Sequence, residues 1–290
     1  MKRMNSRFTP ALIILLTALP ALSLAQEQIN DRQIRRTLES ALQDEIAAGD
    51  LLSGAVLVQQ LSRATAKIKL PESFDLCGPG DDLYAAVKRA TLVVASYKEC
   101  DQCGKHHHTS ASGFMISANG LAVTSYHVLD HEDASAFAVM TSDGIMHPIL
   151  EVVAASKRHD VAVIRVKGGG YNYLPIATTA RPGSDVFVLS HPNGAYYYMT
   201  RGVVARYSNS GRRPILEITA DSAAGSSGGP VVNERGQVVG IVKATTSVYY
   251  HTPKEGQTRG DLQMVRKLCV PSSEILALFS SDRASTAASD

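Results

Sequence analysis

Beyond Ala25 this 290-residue sequence has no apolar run near the roughly 18–20 residues that a membrane-spanning helix needs. No membrane span is therefore expected in the rest of the chain. It has no charge excess either: 29 Lys and Arg face 27 Asp and Glu, a formal net charge of +2. Neither a nucleic acid nor a membrane surface is indicated as a partner. No internal repeat is visible, so an array of stacked repeats is not expected. Cysteine is scarce, at four residues.

The one long apolar stretch lies at the start. Lys2, Arg3 and Arg7 precede the apolar Ala11 to Leu24, Pro20 interrupts it, and Ser23-Leu24-Ala25 has the small-x-small form of a cleavage site. Residues 1–25 read as a secretory signal whose removal leaves Gln26 first. The signal holds three basic residues and no acidic one, so the mature net charge becomes −1. The expectation is an exported protein, periplasmic or secreted. In that setting Cys77, Cys100, Cys103 and Cys269 are disulfide candidates, with three possible pairings.

Ile34, Leu38, Leu42 and Ile46 recur every four positions between Asn30 and Ala48. Asn30 or Asp31 can cap that amphipathic helix and Gly49 can end it. Leu51 to Gln60 is ambiguous. Pro71, Gly78, Pro79 and Gly80 mark a boundary, so 26–80 reads as an N-terminal helical extension. Asp82 to Arg89 reads as a helix that feeds a strand, Thr91 to Ser96. Short β-rich runs follow, at Gly113–Ser117, Leu121–Ser125, Ala136–Thr141, Val161–Val166, Asp185–Ser190, Tyr197–Tyr207, Pro214–Thr219, Val231–Val232 and Gln237–Ala244. Asn119-Gly120 is a two-residue hairpin turn. Many short strands with few helices between them predict an antiparallel barrel or sandwich. A closing helix is expected over Ser273–Phe279, and a flexible tail after it.

The chemistry concentrates around "DSAAGSSGGPVV", Asp221 to Val232. A phosphate loop needs a lysine after its glycines, and Pro230 and Val231 stand there instead. Gly225-Ser226-Ser227-Gly228-Gly229 matches a hydrolase elbow. That elbow leads into a helix and precedes its Asp and His. Here Pro230-Val231-Val232 favours a strand, and no aspartate separates Ser227 from His251. The opposite order is present: His127 follows an apolar strand, Asp160 opens another, and Ser227 comes last. A serine nucleophile needs a base, and the base needs a carboxylate to hold its tautomer. Each residue alone has an ordinary explanation, but the three in order beside strands are specific.

On these segments the sequence resembles the chymotrypsin-fold, trypsin-like serine proteases, in their bacterial Deg/HtrA-like branch. Thr124-Ser125-Tyr126-His127-Val128, Asp160-Val161-Ala162-Val163 and Gly225-Ser226-Ser227-Gly228-Gly229-Pro230 are similar to the family's histidine, aspartate and serine motifs. The likeness covers roughly 83–279. It implies an all-β fold of two antiparallel six-stranded barrels, with the N-terminal helical extension and a C-terminal helix added. The protease unit is then 81–280, its barrels joined near 170–182, and 281–290 is the tail. The resemblance also implies a serine endopeptidase acting on proteins or peptides, with no cofactor. His127 becomes the base, Asp160 its orienting acid and Ser227 the nucleophile. The backbone N–H groups of Gly225 and Ser227 form the oxyanion hole.

Two departures from the family stand out. Eleven residues follow Phe279, too few for the C-terminal PDZ domain usual in this branch. Ser226 stands where digestive relatives carry an aspartate that pairs with a freshly cut N-terminus, so that activation is not expected. Asp221 lies at the spacing of the trypsin pocket aspartate. Its alternatives are a pocket carboxylate selecting Arg or Lys, or a loop aspartate bound to nearby N–H groups.

"CDQCGKHHH" leaves two readings open. Haem attachment fails because Gly104, not His, follows Cys103. A disulfide is one reading. A metal held by Cys100, Cys103, His106 and His108 is the other. A non-catalytic or latent binding or chaperone-like module on the same fold, regulated by metal or redox at this loop, is the competing function. The N-terminal helix could also serve assembly of a homo-oligomer.

Overall fold

The computed structural model describes residues 28–49, 51–99, 106–211, 213–250 and 260–279. The signal segment, Cys100, Cys103 and the tail lie outside these residues. Helix α1 (Asp31–Ala48) starts at Asn30, whose side chain accepts from Gln33 N, and ends at Gly49 in a left-handed turn with φ 78°. The ambiguous stretch forms α2 (Gly54–Gln60), and α3 (Leu83–Ala90) is capped by Asp82 accepting from Ala85 N.

Six strands follow: β1 (Thr91–Glu99), β2 (His106–Met115), β3 (Leu121–Thr124), β4 (Ala136–Met140), β5 (Met146–Ser156) and β6 (Val161–Val166). They close into an antiparallel barrel in the order β1-β2-β3-β6-β5-β4. A one-turn helix, α4 (Tyr126–Leu129), sits between β3 and β4. The second six are β7 (Asp185–Ser190), β8 (Tyr198–Asn209), β9 (Pro214–Ile218), β10 (Pro230–Val232), β11 (Val238–Tyr249) and β12 (Leu262–Pro271). They close in the order β10-β11-β12-β9-β8-β7. Helix α5 (Ser272–Ala277) ends the described chain. Two closed barrels leave no unpaired sheet edge.

Alternation of side chains explains the core. Leu92 and Val94 of β1 point into the first barrel with Met115, Phe137, Ile149 and Ile164. Val93 and Ala95 point outward, where Leu38 and Leu42 of α1 cover them. A strand buried on both faces reads as a continuous apolar run, as "TLVVAS" does. Each fully buried leucine of α1 contributes about 1.5–3 kcal/mol. A third cluster, with Phe114, Val123, Leu189, Val232 and Ile241, spans both barrels and joins them. Among the described residues no helix is long and apolar enough to cross a membrane.

Two strands, β5 and β12, are absent from the sequence expectation. Pro148 breaks the first pattern, and β12 opens with exposed Leu262, Gln263 and Met264. No disulfide is present among the described residues, which include Cys77 and Cys269 but not Cys100 and Cys103. Cys77 and Cys269 are buried free thiols. Cys269 packs inside the second barrel with Val186, Leu216 and Val239, where it faces no other cysteine among the described residues. Burial pushes both thiols above their usual pKa and keeps them protonated.

Candidate active site

The site forms where the two barrels meet. Strand β3 delivers Ser125, and α4 turns His127 back toward the junction. Asp160 ends the tight turn before β6, with φ 64° and its N–H donating to Ser156 O at 2.8 Å. Aspartate tolerates this left-handed conformation better than most residues. The neighbouring His159 Nδ1 lies 2.5 Å from Glu274 Oε2, so α5 anchors that turn.

His127 and Asp160 are in direct contact. His127 Nδ1 lies 2.9 and 3.0 Å from the two carboxylate oxygens, and His127 N donates to Oδ1 at 3.0 Å. A carboxylate can only accept, so Nδ1 carries the proton and Nε2 is left as an acceptor. Asp160 is 12% exposed and His127 49% exposed. The carboxylate is shielded while the imidazole stays reachable. Lys243 Nζ lies 4.0 Å from Asp160 Oδ2 on the other side.

The twin serines are placed differently. Ser226 is fully buried, and its Oγ accepts from Ser190 Oγ at 2.9 Å and from Ala223 N at 3.2 Å. Ser227 is partly exposed, and its Oγ reaches the Lys243 carbonyl at a long 3.5 Å. Among the described residues no hydrogen bond joins Ser227 Oγ to His127; such bonds are often loose without substrate. Ser226 N donates to Ala223 O and Gly228 N to Val242 O. Neither Gly225 N nor Ser227 N has an acceptor among the described residues, so two neighbouring donors are free for a ligand oxygen.

Glycine is required twice in this turn. Gly225 has φ 90°, and a Cβ there would lie 2.5 Å from His191 O. Gly228 has φ 83°, and a Cβ there would collide with Ser112 O and Thr124 Oγ1 across the barrel junction. Ser112 of β2 straps the same turn. Its N–H donates to Ser227 O at 2.9 Å and its Oγ to Gly225 O at 2.8 Å.

Asp221 is 81% exposed, and Lys267 Nζ lies 3.0 Å from its Oδ1. His108 Nε2 pairs with Glu39 Oε1 of α1 at 2.8 Å. Cys100, Cys103 and the His106 side chain lie outside the described residues. Sequence reasoning missed Ser112, Ser190, His191, Lys243 and Lys267. They join the site through pairings across the fold, and no local motif marks them.

Residues 111–241 match the trypsin-like peptidase domain. Serine protease HTRA1 of Xenopus laevis is 29% identical over 161 residues, covering 50% of this chain and 34% of its own length. Serine endoprotease DegS of Salmonella typhimurium is 28% identical over 207 residues, 66% of this chain and 57% of its own. The anti-sigma-I factor RsgI9 of Acetivibrio thermocellus is 29% identical over 183 residues, 62% of this chain and 25% of its own. The chain thus spans between a quarter and just over half of these relatives. Two closed six-stranded barrels, the trypsin-like peptidase match over 111–241 and the likeness to HTRA1 and DegS fit a chymotrypsin-fold serine protease.

Proposed function

We propose that this protein is an exported serine endopeptidase. The observation that carries the reading is the His127–Asp160 pair, with Nδ1 held by the carboxylate and Nε2 left free. Ser227 Oγ attacks the scissile carbonyl and passes its proton to His127 Nε2. Asp160 stabilises the imidazolium that forms. The free N–H groups of Gly225 and Ser227 receive the negative oxygen of the tetrahedral intermediate. Its collapse expels the amine, which takes the proton from His127 and leaves an acyl-enzyme on Ser227. Water, deprotonated by the same imidazole, then releases the acid. Substrates are proteins or peptides, as the names of the relatives suggest. The signal at 1–25 delivers the chain to the periplasm or medium. The catalytic unit is 81–280, preceded by the extension at 26–80.

A fluorophosphonate, which phosphonylates activated serines, tests the reading. Wild type and Ser226→Ala are expected to label, and Ser227→Ala is not. A folded wild type that stays unlabelled removes the peptidase reading in favour of a non-catalytic or latent module.

A further inference from the structure

The turn that carries the Gly225 and Ser227 N–H groups is braced by residues outside its own loop. The segment His191 to Tyr197 stands directly behind it. Asn193 N donates to Ala224 O at 2.7 Å. His191 N donates to Ser112 Oγ at 3.1 Å, and Ser112 Oγ in turn donates to Gly225 O. The His191 carbonyl fills the space where a Cβ on Gly225 would sit. Movement of this segment therefore moves the residues that aim the Gly225 and Ser227 N–H groups.

The segment carries an unusual run of left-handed residues. Asn193 at φ 49°, Gly194 at φ 77° and Tyr197 at φ 53° are all left-handed. For asparagine and tyrosine such angles persist only where surroundings over-determine them. Those surroundings include α1, beside Tyr84 Oη donating to Tyr197 O at 3.2 Å and His191 Nε2 donating to Leu92 O at 3.1 Å. Asp31 Oδ1 accepts the N–H of Tyr196 at 2.9 Å, across 165 residues of sequence. Leu38 and Leu42 share one buried cluster with Tyr196 and Tyr197. An Arg35 guanidinium nitrogen stands 2.9 Å from where a Cβ on Gly194 would lie, so it covers that glycine's face. From inside the fold, Tyr197 N donates to His191 Nδ1 at 3.0 Å.

We infer that α1 is a strap that holds the oxyanion turn in its working shape, with Asp31 as the positioning residue at its end. The inference rests on the serine-peptidase reading. It assigns to the N-terminal extension, which lies outside the matched 111–241, control over the rate of the chemical step. Substrate binding alone does not need the oxyanion donors, so the strap acts on turnover and leaves ground-state affinity nearly intact.

Asp31→Ala removes the acceptor and Asp31→Asn restores one. Asp31 is exposed and Asn30 caps α1 independently, so the alanine variant is expected to fold. Arg35→Ala is the second removal, since it uncovers Gly194 and leaves the Asp31 bond in place. Losing a whole oxyanion donor costs about 10²–10³ in turnover; a misaimed pair is expected to cost about 10–100-fold in kcat. For Asp31→Ala we expect that fall with KM within about threefold of wild type. Affinity for a peptide boronate, which forms a tetrahedral adduct, falls in parallel, and labelling by the fluorophosphonate slows. Asp31→Asn is expected to recover most of the rate, and Arg35→Ala to show a smaller loss. The strap is overturned if Asp31→Ala and Arg35→Ala, both melting cooperatively, match wild type in kcat and boronate affinity. It is equally overturned if KM rises while kcat holds. An unlabelled wild type removes the underlying reading and the strap with it, which separates the two failures.

Discussion

Lys267 Nζ lies 3.0 Å from Asp221 Oδ1 and 3.3 Å from Ser222 O, and the lysine is only 12% exposed. The buried partner is thus the cation, while Asp221 is 81% exposed. A cationic substrate side chain would meet a carboxylate already paired and a lysine beside it. The expected enzyme has no preference for Arg or Lys before the scissile bond. Asp221→Ala should leave the preference within about threefold, the size of an exposed ion pair's effect. Lys267→Met should raise cleavage after Arg and Lys. A peptide-library profile reads both. Dominant cleavage after Arg or Lys that vanishes in Asp221→Ala would restore the pocket role.

Asp160→Asn probes the pair at the centre of the site. The amide keeps one oxygen for His127 N and turns an NH2 donor toward Nδ1 in place of the second carboxylate oxygen. The imidazole then favours the tautomer with its proton on Nε2, which cannot take the serine proton. A fall of about 10⁴ in kcat is expected, measured on an ester or peptide substrate. A loss below tenfold would show that Asp160 does not set the tautomer.

Gly225→Ala places a methyl group 2.5 Å from His191 O at a φ of 90°. The turn must shift, and with it the N–H groups of Gly225 and Ser227. Turnover should fall by about 10²–10³, with a smaller change in KM. Steady-state kinetics on the folded variant decide; an unchanged kcat would mean that the donors at this turn carry no charge.

His191 titrates inside the fold. Its Nε2 faces the Leu92 carbonyl at 3.1 Å and must be the donor, while Nδ1 accepts from Tyr197 N. Burial lowers its pKa from 6.5 to about 4. The unfolded chain takes up a proton near pH 6.5 that the folded chain refuses until about pH 4. Stability from this group is fully present above pH 6.5 and declines as pH falls toward 4, by at most about 3 kcal/mol. Urea unfolding at pH 7.5, 6 and 5 should show the decline, and His191→Gln should flatten it. A wild-type stability unchanged between pH 7.5 and 5 would contradict this.

Local patterns made part of this molecule legible. The four-residue spacing of Ile34, Leu38, Leu42 and Ile46 between Asn30 and Gly49 specifies α1, because cap chemistry and helical period act within a few residues. The alternating strand runs specify an antiparallel β fold for the same reason. Strand β5 escaped because Pro148 interrupts its pattern. Strand β12 escaped because its first half is exposed, and its pairing with β9 and β11 supplies the order that its sequence does not show.

The sequence by itself determined the order His127, Asp160, Ser227 and the glycines around the serine, because residue order is a property of the chain and a tight turn constrains φ locally. Tertiary structure alone decided which neighbours those residues meet. Lys267 reaches Asp221 because β12 closes the second barrel, pairing Lys267 with Thr245 on one side and Ile218 on the other. Ser190 reaches Ser226 across 36 residues, and Asp31 reaches Tyr196 across 165. Such contacts depend on barrel closure and on a helix laid over β1, both set by the packing of the whole core and by no local run of residues.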